Sequence, residues 1–345
     1  MRPHEGIHRG LTLPEVLVAT SCAAVLFAVG TTVVAKGGGV SDSQFKLAEL
    51  AQANECYAND FGGRQFGIIP ATAGLYGDSC TSFLSQAWCP RTAYLGWSSN
   101  GAMWGFYLGS TGFCSGGASP GSCSNWSRYR PMNFSAADAA TGAFRAPNLV
   151  GFREYLSRRF YSPEWFAEDD PSYAWASTQF DSADDFNYTG TYHDSSYCFS
   201  PAAMLNPGVL RARADGGFQA PAGFADSYRA PAVTQCTHPS LKTRMCEYGW
   251  FRDAPTPGLA FNAGRKSAPY TLFFDGSVQA ISMLHAEADD IIARAGSKTG
   301  DGLWSDDTPL GVDGWQPSAP VDGVRTSFHI LTTNGILGRD LLSRD

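Results

Sequence analysis

Residues 10–19 read Gly-Leu-Thr-Leu-Pro-Glu-Val-Leu-Val-Ala and carry the strongest signal in the chain. They open an apolar run, Leu11 to Ala35, whose 25 positions hold one charge, Glu15. At a helical rise of about 1.5 Å per residue such a run reaches roughly 37 Å, enough for a hydrocarbon layer of about 30 Å, so the pattern predicts a transmembrane helix over 11–35. The polar leader in front of it, Met1 to Gly10, contains Arg2 and Arg9, which place the N-terminus of that helix on the cytoplasmic side. A carboxylate inside a membrane helix costs about 2.5 to 3.5 kcal/mol, so Glu15 asks for a compensating partner.

Three ordinary readings account for only part of this. A secretory signal has an uncharged core, which Glu15 breaks despite the small residues Ala23 and Ala24. A lipoprotein signal ending at Cys22 would carry Leu where Ala19 stands. A plain anchor explains the apolarity and leaves the offset from Gly10 to Glu15 without a reason. The string resembles the type III signal of the type IV pilin and pseudopilin superfamily. That resemblance implies a prepilin peptidase cutting after Gly10, with Leu11 as the new, N-methylated terminus and Glu15 as the assembly carboxylate that meets a neighbouring subunit's terminal amine. Leu11 stands where Phe is commoner, and Pro14 where an aliphatic residue is usual. Proline is tolerated in a first helical turn, because the N–H it lacks would be unpaired there. The resemblance further implies a single pass through the bacterial inner membrane with the head outside the cytoplasm, and the peptidase, other pilin-like subunits and the membrane as partners.

Composition agrees with an exported head. The chain of 345 residues is 43% hydrophobic, enough for a sizeable core. Its 38 Gly, 20 Pro and 13% aromatics against 17% charged residues favour a turn-rich, β-leaning domain. A net charge of −7 with no Lys/Arg cluster excludes nucleic acid as a partner. Of nine cysteines, Cys22 lies in the apolar run. Local spacing suggests disulfides Cys80–Cys89, Cys114–Cys123 and Cys236–Cys246, which leaves Cys56 with Cys198 as a long-range pair. Buried thiols or a metal site are the alternative, although no CxxC occurs.

Past the run, Gly37-Gly38-Gly39 predicts a hinge. Helical spacing resumes over Ser41 to Asp60, with Leu47, Leu50, Ala51, Asn54 and Tyr57 on one face and Asp42 or Ser43 as a cap. Near the other end, Tyr270 to Ile281 reads as a hairpin whose Asp275-Gly276 pair supplies a two-residue type I′ turn. A second resemblance, to the large pilin-like proteins abundant in planctomycetes, rests on Leu50 to Gly63, on Trp88-Cys89-Pro90, and on this Asp-Gly segment with the helix of Ala286 to Gly296 after it. Arg265 occupies the His position of that family's His, nine residues, Asp-Gly motif. The expected organisation is a leader over 1–10, a membrane helix over 11–35, a hinge and amphipathic helix continuation over 36–60, and a β-rich head over 61–345. Residues 71–262 read as a large insertion with one helical stretch near Asn148 to Phe160. The fold class is α+β and pilin-like, with an antiparallel head.

Catalytic chemistry is sparse. His193-Asp194-Ser195 contains triad residue types, but adjacent residues point apart. No nucleophile elbow, phosphate loop or dinucleotide fingerprint occurs, so an enzyme is not expected. Asp301, Asp306, Asp307, Asp313 and Asp322 crowd a Gly/Pro-rich segment that could hold Ca²⁺, as some pseudopilins do, or could simply be Asp-Gly turns. Trp97, Trp104, Trp126, Trp165 and Trp175 lie in polar contexts suited either to a β-rich core or to stacking on sugars. The function expected is a structural subunit of a pilus-like or type II secretion-like filament. The second reading is a membrane-anchored surface protein that binds polysaccharide or a partner through those aromatics.

Overall fold

The computed structural model describes residues 41–67, 93–97, 103–106, 130–134, 142–183, 193–223, 226–248, 267–311 and 327–344. The chain divides into Met1–Val40 and Ser41–Asp345, and every described residue belongs to the second unit.

That unit opens with helix α1, Asp42–Asp60. Ser41 starts it through a capping box: its Oγ accepts from Gln44 N at 3.2 Å while Gln44 Oε1 accepts from Ser41 N at 3.1 Å. The cap is therefore Ser41, one residue ahead of the expected Asp42 or Ser43. Its closed box makes residue 42 the first helical position, a capped start as expected past the glycines. Leu47, Leu50, Ala51, Asn54 and Tyr57 are buried, as their spacing requires. Beyond Asp60, Gly62 and Gly63 turn the chain away at φ of 63° and 79°.

Strands β1 (Ala93–Trp97) and β2 (Met103–Phe106) form a separate antiparallel pair. The main sheet is antiparallel in the order β3-β4-β5-β6, with β3 Tyr197–Phe199, β4 Thr243–Glu247, β5 Tyr270–Phe273 and β6 Val278–Ala280. Two of its four strands thus come from inside 71–262, the stretch read as an insertion. β4 is buried along its whole length, so it is covered on both faces. Side chains alternate between those faces. Tyr197, Phe199 and Met245 meet α1 and the aromatic layer beside it: Tyr197 Oη is 3.2 Å from Ser43 Oγ, Asn54 Nδ2 is 3.2 Å from Met245 Sδ, and Phe199 stacks on Phe66 at 5.2 Å. Cys198 and Cys246 point the other way, toward residues 327–341, whose Ile330, Leu331 and Leu341 are fully buried. Helix α2, Met283–Gly296, follows the hairpin and starts three residues ahead of the Ala286 to Gly296 helix that the family resemblance implied.

Several expectations are corrected. Among the described residues no helix is long and apolar enough to cross a membrane, and α1 carries Asp42, Lys46, Glu49, Glu55 and Asp60 along its length. With a four-stranded antiparallel sheet and no disulfide joining the described cysteines, the fold is α+β but without the pilin-like, membrane-anchored plan. Against the expected single-pass inner-membrane location, no described helix supplies the membrane span it requires. The apolar run 11–35 and the hinge at Gly37–Gly39 lie outside the described residues. The helix expected near 148–160 is a single turn, Val150–Arg153. The β5–β6 turn also differs. Phe273 N donates to Ser277 O at 2.9 Å and Gly276 N to Phe273 O at 3.0 Å, which makes a three-residue loop of Phe274, Asp275 and Gly276. Gly276 alone takes a positive φ, 82°, so the connection is a type I turn closed by a left-handed glycine. Asp275 Oδ1 accepts from Ser277 N at 3.0 Å and fastens it.

This geometry predicts the outcome of Asp275→Gly. A type I′ turn would gain from a second glycine, whereas the observed turn loses its side-chain fastening and gains backbone entropy in the unfolded chain. Urea unfolding should show a loss of about 1 kcal/mol. A more stable variant would restore the two-residue turn.

Candidate functional site

The sheet face turned away from α1 brings together three side chains from separate parts of the chain. β3 and β4 pair so that Cys198 stands directly opposite Cys246, with Sγ atoms 3.8 Å apart. His329, from the segment that covers this face, places Nε2 3.1 Å from Cys246 Sγ. All three residues are fully buried, and their ligand atoms lie within 4.8 Å of one another, a cluster that could hold a metal ion. Burial pulls the imidazole of His329 down to about 3, with Asp340 opposing and Lys242 adding to the shift. Burial also pushes the Cys246 thiol well up, reinforced by its hydrogen bond with Cys198. Around neutrality, therefore, Cys246 is a protonated thiol beside a neutral imidazole, one of which donates to the other.

His329 is held there at some conformational cost. Its φ is 55°, in the left-handed region that a residue with a Cβ seldom adopts. The backbone stays in place because the His329 carbonyl accepts from Ser200 Oγ at 2.6 Å. Ser200 Oγ in turn accepts from Lys242 Nζ at 3.0 Å. That ammonium spends its other two donors on Thr332 Oγ1 and Asp340 Oδ2, both at 2.9 Å. Asp340 Oδ2 accepts also from Thr243 N at 2.8 Å, and Thr332 Oγ1 donates to Asp340 Oδ1. Both members of the Lys242–Asp340 pair are wholly excluded from water.

The expected sites fare unevenly. Gly10, Leu11 and Glu15 lie outside the described residues, as do Cys80, Cys89, Cys114, Cys123, Asp313 and Asp322. The expected partner of Cys246, Cys236, packs instead against a small cluster of Ala203, Phe274 and Ile336, because sheet register and not chain proximity decides what Cys246 faces. Cys56 is exposed on α1 and Cys198 buried under the opposite side of the sheet from it, so that pairing is replaced too. Asp301, Asp306 and Asp307 already have other roles. Asp306 binds both Arg213 and Arg294, Asp301 accepts from Arg213 N at 3.0 Å, and Asp307 accepts from Phe218 N at 2.7 Å. Trp165 is fully buried, Trp175 is half-buried and packs against Tyr161 and His193, and Trp126 and the side chains of Trp97 and Trp104 lie outside the described residues. Ser195 Oγ donates to Trp165 O at 3.0 Å, and no triad forms around it. His329 went unnoticed in the sequence because nothing near it in the chain suggests a ligand.

No family model matches this chain, and no curated protein or solved structure is significantly similar to it.

Two outcomes follow from the site. Asp340→Ala leaves Lys242 buried without its counter-charge and should cost about 3 to 5 kcal/mol in urea unfolding, while the double replacement Lys242→Met with Asp340→Leu should recover most of that loss. Iodoacetamide at about pH 8 should modify Cys56 first. Cys236, whose thiol burial pushes to about 11, should react far more slowly, and Cys198 and Cys246 only on unfolding. Equal rates at all four would contradict the burial described.

Proposed function

We propose that the chain is a structural subunit of a pilus-like or type II secretion-like filament, freed from its leader by a prepilin peptidase that cuts after Gly10. The observation that carries this reading is the carboxylate of Glu15, five residues past Gly10 in an otherwise uncharged run of 25. Cleavage creates a cationic amine at Leu11, and in a bundle of such runs the Glu15 of one subunit neutralises the amine of the next. The apolar surface of 11–35 is then covered by the same run of neighbouring copies. The separate start of the head at the capped Ser41 supports a division of labour, with assembly upstream and a self-contained folded unit downstream. Calcium is left out of the reading, since an ion at Asp301 or Asp306 would have to displace Arg213 and Arg294. Of the tryptophans on which the polysaccharide-binding alternative rests, Trp165 is fully buried and so gives it no support.

The test is Glu15→Leu in the native host. N-terminal mass spectrometry should find both wild type and variant beginning at Leu11, because the Gly10 junction is intact in each. The variant should fail to enter filaments or cross-link to its neighbours. Assembly at wild-type levels would refute the proposal, and so would a mature wild-type chain beginning at Met1 or Cys22.

A further inference from the structure

We propose that Cys198, Cys246 and His329 bind one Zn²⁺, which clamps strands β3 and β4 to the segment that covers them. The inference rests on the head alone and is independent of how the chain assembles.

Three observations carry it. The first is geometric. Two thiolates at about 2.3 Å from a tetrahedral zinc stand about 3.8 Å apart, and the Sγ atoms of Cys198 and Cys246 are 3.8 Å apart. An imidazole nitrogen at about 2.0 to 2.1 Å from the same ion lies about 3.6 Å from each sulfur. His329 Nε2 lies 3.1 Å from Cys246 Sγ and within 4.8 Å of Cys198 Sγ, so a swing of the ring brings it to that position. The second is charge. The site is sealed from water and the neighbouring ion pair of Lys242 and Asp340 is already balanced. Zn²⁺ with two thiolates and a neutral imidazole adds no net charge, whereas a monovalent ion such as Cu⁺ would leave one negative charge buried, at a cost of several kcal/mol. Binding releases the two thiol protons to solvent, so charge and protons balance. The third is strain. The left-handed backbone at His329 carries a local conformational cost and turns the ring onto the sulfurs. A thiophilic ion takes up both sulfurs and the imidazole at once. The described residues supply three ligands to such an ion.

The experiment uses the full chain, expressed with zinc in the medium and purified without chelator. Elemental mass spectrometry should find about one zinc per chain. Cys198→Ser and His329→Gln should lose most of it, while Cys56→Ser, which alters an exposed thiol remote from the site, should keep it. Should the core variants not fold, wild-type protein stripped of metal and titrated with Co²⁺ decides the matter: thiolate-to-cobalt charge-transfer absorption with tetrahedral visible bands is expected, and Zn²⁺ should quench it. Zinc should also shield Cys198 and Cys246 from alkylation during partial unfolding. The proposal is overturned by folded wild-type protein that takes up no zinc, by a cobalt spectrum without thiolate bands, or by copper retained in preference to zinc. A mass two hydrogens low with a Cys198–Cys246 cross-linked peptide would overturn it as well, by showing a disulfide where the ion should sit.

Discussion

A lysine ammonium and an aspartate carboxylate, sealed from water 2.9 Å apart, govern how the second half of the head is arranged. Taking either charge out of water alone would cost several kcal/mol, so Lys242 can sit beneath the sheet only if Asp340 arrives there too. The neutral donors and acceptors around them leave little freedom: Ser200, Thr332 and the amide of Thr243 all have assigned places. Such a pair adds little net stability compared with well-packed apolar residues, but it fixes position sharply. The segment that brings Asp340 also brings His329 and Thr332, and Ser200 bonds the carbonyl of one while receiving the proton of Lys242. The meeting of imidazole and thiols is therefore a consequence of the ion pair, one layer further along the same face.

The parts of this architecture that could be seen in the sequence are those written in short-range periodicity. α1 shows its buried face at every third or fourth residue. The hairpin between β5 and β6 was marked by Asp275-Gly276, yet the turn type was not, because loop length depends on which residues pair across it. β4 was invisible for a different reason. Thr-Arg-Met-Cys-Glu shows neither an apolar run nor an apolar face, since Arg244 and Glu247 are buried with partners that come from elsewhere, Glu55 on α1 and the amide of Tyr270. A strand whose polar residues are satisfied at long range looks like a loop.

The site was missed on the same principle. Reading cysteines by proximity assumes that short loops close first, and it joined Cys246 to Cys236. In the fold, strand register joins Cys246 to a residue 48 positions away, and the third member comes from 83 positions away in the other direction. The acidic segment shows the converse error. Five aspartates in a Gly-rich stretch suggest a cation, but of the three described, Asp306 pairs with two guanidinium groups while Asp301 and Asp307 accept from backbone N–H groups. The signal proposed at residues 10–15 differs from all of these in resting entirely on neighbours in the chain.

One consequence of the buried pair concerns time. Lys242 and Asp340 are 98 residues apart. At synthesis rates of about 5 to 20 residues per second, roughly 5 to 20 s separate the appearance of the lysine from that of its counter-charge. Throughout that interval the strand that follows Lys242 cannot be buried without stranding a charge, so the centre of the sheet stays open while the chain is still being made. Burial of Lys242 beneath the sheet thus waits for the arrival of a single carboxylate.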